Sequence, residues 1–229
     1  MSIWNLIFPK KCVFCREFIS GGENVFCPVC EAKYEQMKRA FCKHCGRENA
    51  LCRCVATKLR PLDIRISERH LFAYEGEFAR AIIYKLKRKN AADLQKFLAH
   101  ECAALVREGV RSGEKAVISY PPRAHSAVRE YGFDQAQILA RNVAEITQLP
   151  LAEIFCRGEG GKAQKTLTAK EREENAGKAY FLTDGADVGG KTLVIIDDVV
   201  TSGSTAARLS ALAKEGGAKR IVLVSVAKT

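Results

Sequence analysis

Two adjacent carboxylates, Asp197-Asp198, stand just before a run of small residues, Thr201-Ser202-Gly203-Ser204-Thr205. An ionised carboxylate only accepts hydrogen bonds, so the pair suits the vicinal hydroxyls of a sugar. Small residues around one glycine let an anion approach successive backbone N–H groups. A helix N-terminus behind them adds partial positive charge. Phosphate on one side and a diol on the other, one sugar-length apart, describe ribose 5-phosphate. A buried strand and a capped helix would explain the neighbouring apolar residues but would leave the Thr-Ser-Gly-Ser-Thr run without a purpose.

A second chemistry lies at the other end of the chain. Eight of the ten cysteines precede residue 55, as Cys12-x2-Cys15, Cys27-x2-Cys30, Cys42-x2-Cys45 and Cys52-x-Cys54. Thiolate pairs on tight turns are what tetrahedral zinc requires, and two four-cysteine sites follow. Spacer lengths favour Cys12, Cys15, Cys27 and Cys30 for one ion and Cys42, Cys45, Cys52 and Cys54 for the other. Interleaved pairing is compatible with the same spacing. Four thiolates per ion leave no place for water, so the zinc is structural. His44 sits between two ligands and reads as a knuckle-surface residue, and Cys102 as a core thiol on a helix.

The elements that must position these groups alternate. Val194-Ile195-Ile196 reads as a buried parallel strand ending at the carboxylates, and a helix from Ala206 follows the small-residue run. Earlier, Lys58 to Ser67 reads as a linker, Leu71 to Tyr74 as a short strand, and Glu77–Leu86 and Asp93–Glu108 as helices. Ala116–Tyr120 is a strand, about 136–147 a helix, and 151–156 and 179–182 are strands. Gly158 to Asn175 has the polar, glycine-rich composition of a loop over a site, and Ile221–Ala227 closes the sheet. The fold class is α/β with a mostly parallel sheet, divided as a zinc module over 1–57 and a body over 58–229.

Charge separates the two parts. The chain carries a formal +11, which suggests an anionic partner. Residues 1–57 hold nine Lys/Arg against five Asp/Glu. Eight thiolates and two Zn2+ bring that module to about neutral and the whole chain to about +7. The dense basic cluster is Lys85-Leu86-Lys87-Arg88-Lys89. It serves equally well as a solvated helix end or as an anion-binding surface through Lys85, Lys87, Arg88 and Lys89. No apolar run approaches the length of a membrane span, and no secretory leader is recognisable. A cytoplasmic chain is expected.

The stretch from Val194 to Thr205 resembles the signature of type I phosphoribosyltransferases, which bind 5-phosphoribosyl 1-pyrophosphate (PRPP). Pro122 through Tyr131-Gly132-Phe133-Asp134-Gln135 is similar to the Arg-Gly-Phe-Asn-Gln segment of ComF-type competence proteins. Gln164-Lys165-Thr166-Leu167, Arg172-x2-Asn175 and Ala179-Tyr180-Phe181 follow a further stretch of that family. Tyr131 stands where the family has arginine, and Asp134 where it has asparagine. The resemblance implies the type I phosphoribosyltransferase fold beneath a double zinc ribbon. It also implies a role in DNA uptake during natural transformation, handling incoming single-stranded DNA beside a helicase-like partner.

In such a site the Thr201–Thr205 amides and the Ser202, Ser204 and Thr205 hydroxyls would hold the 5-phosphate, with Val199 and Val200 leading into the loop. Asp197 and Asp198 would hold the ribose hydroxyls, directly or through Mg2+. Lys87 or Arg88 and Arg129 would neutralise pyrophosphate, and Gln164, Arg172 and Asn175 would belong to a closing lid. Asp197, Asp198 and Arg129 are the expected catalytic set. Three functions share these features: phosphoribosyl transfer to an unidentified base or amine, non-catalytic PRPP sensing, and single-stranded DNA binding.

Overall fold

In the computed structural model the signature run becomes β5 (Thr192–Val200), an inner strand of a four-stranded parallel sheet. The structure describes residues 10–19, 25–88, 91–124, 128–130, 132–158 and 180–229. Lys89, Tyr131, Gln164, Arg172, Asn175 and the side chain of Arg88 lie outside the described part. The chain runs α1 (Pro28–Arg39), β1 (Arg65–Ala73), α2 (Gly76–Arg88), α3 (Ala92–Gly109), β2 (Ala116–Ser119) and α4 (Gln135–Thr147). It continues through β3 (Phe155–Arg157), β4 (Tyr180–Leu182), β5, α5 (Ser204–Glu215) and β6 (Arg220–Lys228). The sheet order is β1-β6-β5-β2, and β3 and β4 form a separate antiparallel pair.

Both faces of the sheet are covered, which is why its inner strands read as unbroken β-branched runs. Val194, Ile196, Val222 and Val224 pack on one side against α2, α3 and α4. Leu193, Ile195, Ile221 and Leu223 pack on the other against α5 and the β3–β4 pair. Period-two alternation along β5 thus decides which side each terminal carboxylate serves.

The linker expected over 58–67 is shorter than the composition suggests. A 3-10 turn spans Thr57–Leu59, and β1 begins at Arg65. Charge disguised the strand, because Glu68, Arg69 and His70 are all buried in it. Burial, with Lys228 and Arg53 nearby, pushes the His70 imidazole down to about 4, so it sits neutral. Leu151, expected to open a strand, makes only an isolated bridge to Ile118.

The cysteine-rich head is not a bead on a string. Phe26 stacks on Tyr34 at 5.4 Å and meets Phe97 of α3 edge-on at 5.5 Å and Phe78 of α2 at 5.8 Å. Tyr34 also reaches Phe72 of β1. Cys12, Cys27 and Cys30 are buried in the same cluster as the α3 and α4 residues. A head this short buries little by itself, so it borrows the core of the body. Phe26→Ala should therefore cost about 3–5 kcal/mol in denaturant unfolding. Head and body should still unfold in one transition by fluorescence and by circular dichroism.

Candidate functional site: a small-residue loop and two four-cysteine centres

Alternation at the end of β5 sends the two carboxylates to opposite faces. Asp198 is 4% exposed and turns toward α2 and α4. It accepts a hydrogen bond from Gln135 Nε2 at 2.8 Å and pairs with Lys87 Nζ at 3.5 Å. Gln135 is fixed by the start of α4, where Asp134 is the N-cap and accepts from the N–H groups of Ala136 and Gln137. The other Asp134 oxygen accepts from Arg123 N at 2.7 Å. Aspartate and asparagine cap helices equally well, so the departure at 134 keeps its structural job.

Asp197 faces the other way. Its Oδ1 accepts the Asp198 N–H at 2.8 Å, and it lines a cavity of about 70 Å³ together with Val199 through Ala206. Burial first, and the neighbouring Asp198 second, push the Asp197 carboxyl up to about 8. The loop that shares this cavity is preformed. Ser202 and Ser204 hydroxyls lie 2.8 Å apart, and Gly203 takes φ +78°. That glycine is required twice over, since a Cβ there would also lie 2.8 Å from the Ala56 side chain. Helix α5 starts at Ser204 with no side chain at its N-cap, and Ser204 N donates to Ser202 Oγ at 3.4 Å.

Ala56 belongs to the segment that leaves the head, and a buried network holds it. Its N–H donates to Glu68 Oε2 at 2.6 Å, Glu68 Oε1 pairs with Lys228 Nζ at 2.8 Å, and Lys228 donates to the Cys54 carbonyl at 2.6 Å. Two residues on, Lys58 Nζ donates to Ser204 Oγ at 2.9 Å.

The cysteines separate into the sequential sets. Sulfurs of Cys12, Cys15, Cys27 and Cys30 lie within 4.8 Å of one another, as do those of Cys42, Cys45, Cys52 and Cys54. Cys15 and Cys27 are 3.5 Å apart, and Cys45 and Cys52 3.7 Å. A tetrahedron with arms of 2.3 Å has edges of about 3.8 Å, so both donor sets fit structural zinc. The knuckles repeat one geometry: Arg16 N and Gly46 N each donate to the carbonyl of the first cysteine of their pair. Both residues have positive φ.

Of the expected site residues, Asp197 and the Val199–Thr205 loop are gathered in one cavity, and Asp198 and Lys87 meet on the opposite face of β5. Arg129 is exposed on the segment preceding α4. Sequence reasoning gave no role to Gln135, Ala56, Lys58 or Glu68. Gln135 stood inside a quoted motif, whereas the other three carry no periodic or spacing signal.

The double zinc ribbon domain family matches residues 3–62. Competence protein F of Haemophilus influenzae is 23% identical over 96% of this chain and 98% of its own length. The chain is ComF-like. DNA utilization protein YhgH of Shigella flexneri is 24% identical to the ComF-like chain over 98% of it and 99% of the relative. Among solved structures, glutamine PRPP amidotransferase from B. subtilis overlays 62% of this chain and 30% of its own, at 19% identity and a TM-score of 0.42. No helix among the described residues is long and apolar enough to cross a membrane.

Two outcomes follow from these centres. Metal analysis of purified protein should give two zinc ions per chain, and Cys52→Ser should retain one and melt at a lower temperature. The Asp197 carboxyl, raised in the folded state, holds a proton that the unfolded chain releases near pH 4. Its contribution to stability therefore falls as pH rises from about 4 through about 8. Asp197→Asn should remove that decline, making the variant the more stable protein at pH 8 in urea titrations.

Proposed function

We propose that this ComF-like protein binds PRPP at the end of β5 and acts in DNA uptake. One observation carries the first half: a carboxylate and a preformed small-residue loop open onto the same cavity. The loop N–H groups and the Ser202, Ser204 and Thr205 hydroxyls would take the 5-phosphate, and Asp197 the ribose hydroxyls. Asp198 acts from the opposite face, with Gln135 and Lys87, by fixing the strand end and raising the field at Asp197. Arg129 and Arg88 would contribute charge toward pyrophosphate, and the lid would carry Gln164, Arg172 and Asn175.

Burial and the neighbouring Asp198 disfavour charge on the Asp197 carboxyl, a setting that a divalent cation would relieve. Mg2+ there would neutralise charge between the carboxylate and pyrophosphate.

The second half rests on the relatives' names, a competence protein and a DNA utilization protein, and on the basic cluster. Because Lys87 is paired with Asp198, we keep Arg88 with Arg129 for pyrophosphate and Lys85 and Lys89 for single-stranded DNA. A cytoplasmic setting beside a helicase-like partner belongs to the same reading and suits thiolate centres that need reducing conditions.

Calorimetry with PRPP and Mg2+ tests the site. The protein should bind saturably, and Gly203→Val should abolish binding, because the side chain would collide with Ala56 and strain the loop. Asp197→Asn should weaken binding at least tenfold. Unchanged affinity in both variants would place PRPP elsewhere.

A further inference from the structure

The loop lacks something that a phosphate dianion needs. From Val199 to Ala206 there is no basic side chain, and the same cavity holds a carboxylate, Asp197. Backbone N–H groups and the α5 dipole supply only about half a positive charge between them. Arg208, one turn into α5, is directed away and donates to the Tyr180 carbonyl at 3.2 Å. Lys87 is committed to Asp198 on the other face of the strand.

The missing cation comes from the segment that leaves the zinc-ribbon head, past the expected boundary at 57 but inside the 3–62 span of the zinc-ribbon match. Lys58 lies four residues after the last cysteine of the second centre, and its ammonium stands 2.9 Å from Ser204 Oγ. Ser204 in turn is 2.8 Å from Ser202 Oγ, so the ammonium sits one hydrogen bond away from two hydroxyls of the loop. The backbone that carries it is anchored on both sides. Ala56 is wedged against Gly203 and tied to buried Glu68. Leu59 is buried in the cluster that holds Ala206 and Leu209 of α5. The 3-10 turn closes on itself through Leu59 N to Ala56 O at 2.9 Å. A flexible lysine stem on a fixed turn delivers a point charge that can pass from a serine hydroxyl to an incoming phosphate oxygen.

We propose that Lys58 is a ligand of the 5-phosphate, so that the head contributes a binding residue to the sugar-phosphate site. The proposal rests on the PRPP reading and extends it: the anion pocket is built from two parts of the chain, the loop after β5 and the exit from the second zinc centre. It makes the phosphate end of the site depend on the head, while the pyrophosphate end does not.

The test compares Lys58→Gln and Lys58→Arg with the unaltered full-length, zinc-loaded protein by calorimetry. The probes are PRPP with Mg2+, ribose 5-phosphate, and Mg2+-pyrophosphate. Removing a charge-assisted hydrogen bond to phosphate should weaken PRPP and ribose 5-phosphate by about ten- to a hundredfold in Lys58→Gln. Pyrophosphate affinity should stay within about twofold, and Lys58→Arg should recover part of the ribose 5-phosphate affinity. Equal affinities in Lys58→Gln and the unaltered protein would overturn the assignment. An equal loss for pyrophosphate would overturn it too, because Lys58 would then be supporting the whole site and not the phosphate. If the unaltered protein binds none of the three probes, the PRPP reading itself fails, which is a separate result. Zinc content and melting temperature, measured on each variant, should match the unaltered protein.

Discussion

One fully buried carboxylate, Glu68, ties the head, the sheet and the loop together. It accepts from Ala56 N and pairs with Lys228, which in turn holds the Cys54 carbonyl. A buried charge is tolerated only when it is paired and hydrogen-bonded, so these contacts come as a set. Losing one partner would strand the others in a dry interior, at a cost of about 3–5 kcal/mol. The arrangement fixes the exit of the second zinc centre over the carboxyl ends of β5 and β6. It is why Ala56 meets Gly203 and why Lys58 reaches Ser204.

From that constraint the division of labour at the strand end follows. Asp197 and Asp198 stay within electrostatic reach of each other, yet they are held by different partners. One lines the cavity of the Thr201–Thr205 loop with its carboxyl pushed up by burial; the other is held by Gln135 and Lys87 against the helices of the opposite layer. The capped start of α4 and the uncapped start of α5 are complementary in the same way. Asp134 satisfies the first N–H groups of α4 and so fixes Gln135. The α5 terminus has Gly203 at its N-cap and no side-chain cap, with only Ser204 N reaching Ser202 Oγ.

The sheet and the cysteine pairs were legible because their signals are local. β-branched runs, glycine turns and two-residue spacers each report on a few neighbouring positions, and the two sulfur clusters and β5 lie where those signals put them. β1 was half hidden, because Glu68, Arg69 and His70 are polar residues in a buried strand. Their partners come from residues far away in sequence, such as Lys228 and Ala56, so no window of sequence shows the pairing. The same reason hid Lys58 and Ala56 from the site. A pair of adjacent aspartates likewise gives no sign in sequence that Gln135 and Lys87 hold one of them.

In the proposed site, the head and the loop after β5 together enclose a sugar phosphate. A crystal structure of the zinc-loaded chain with PRPP and Mg2+ tests it most directly. The 5-phosphate should lie between the Thr201–Thr205 amides and the Lys58 ammonium, with the ribose hydroxyls on the Asp197 side of β5. PRPP bound on the Asp198 face, or a 5-phosphate seated away from Lys58 with the head displaced from Gly203, would contradict it.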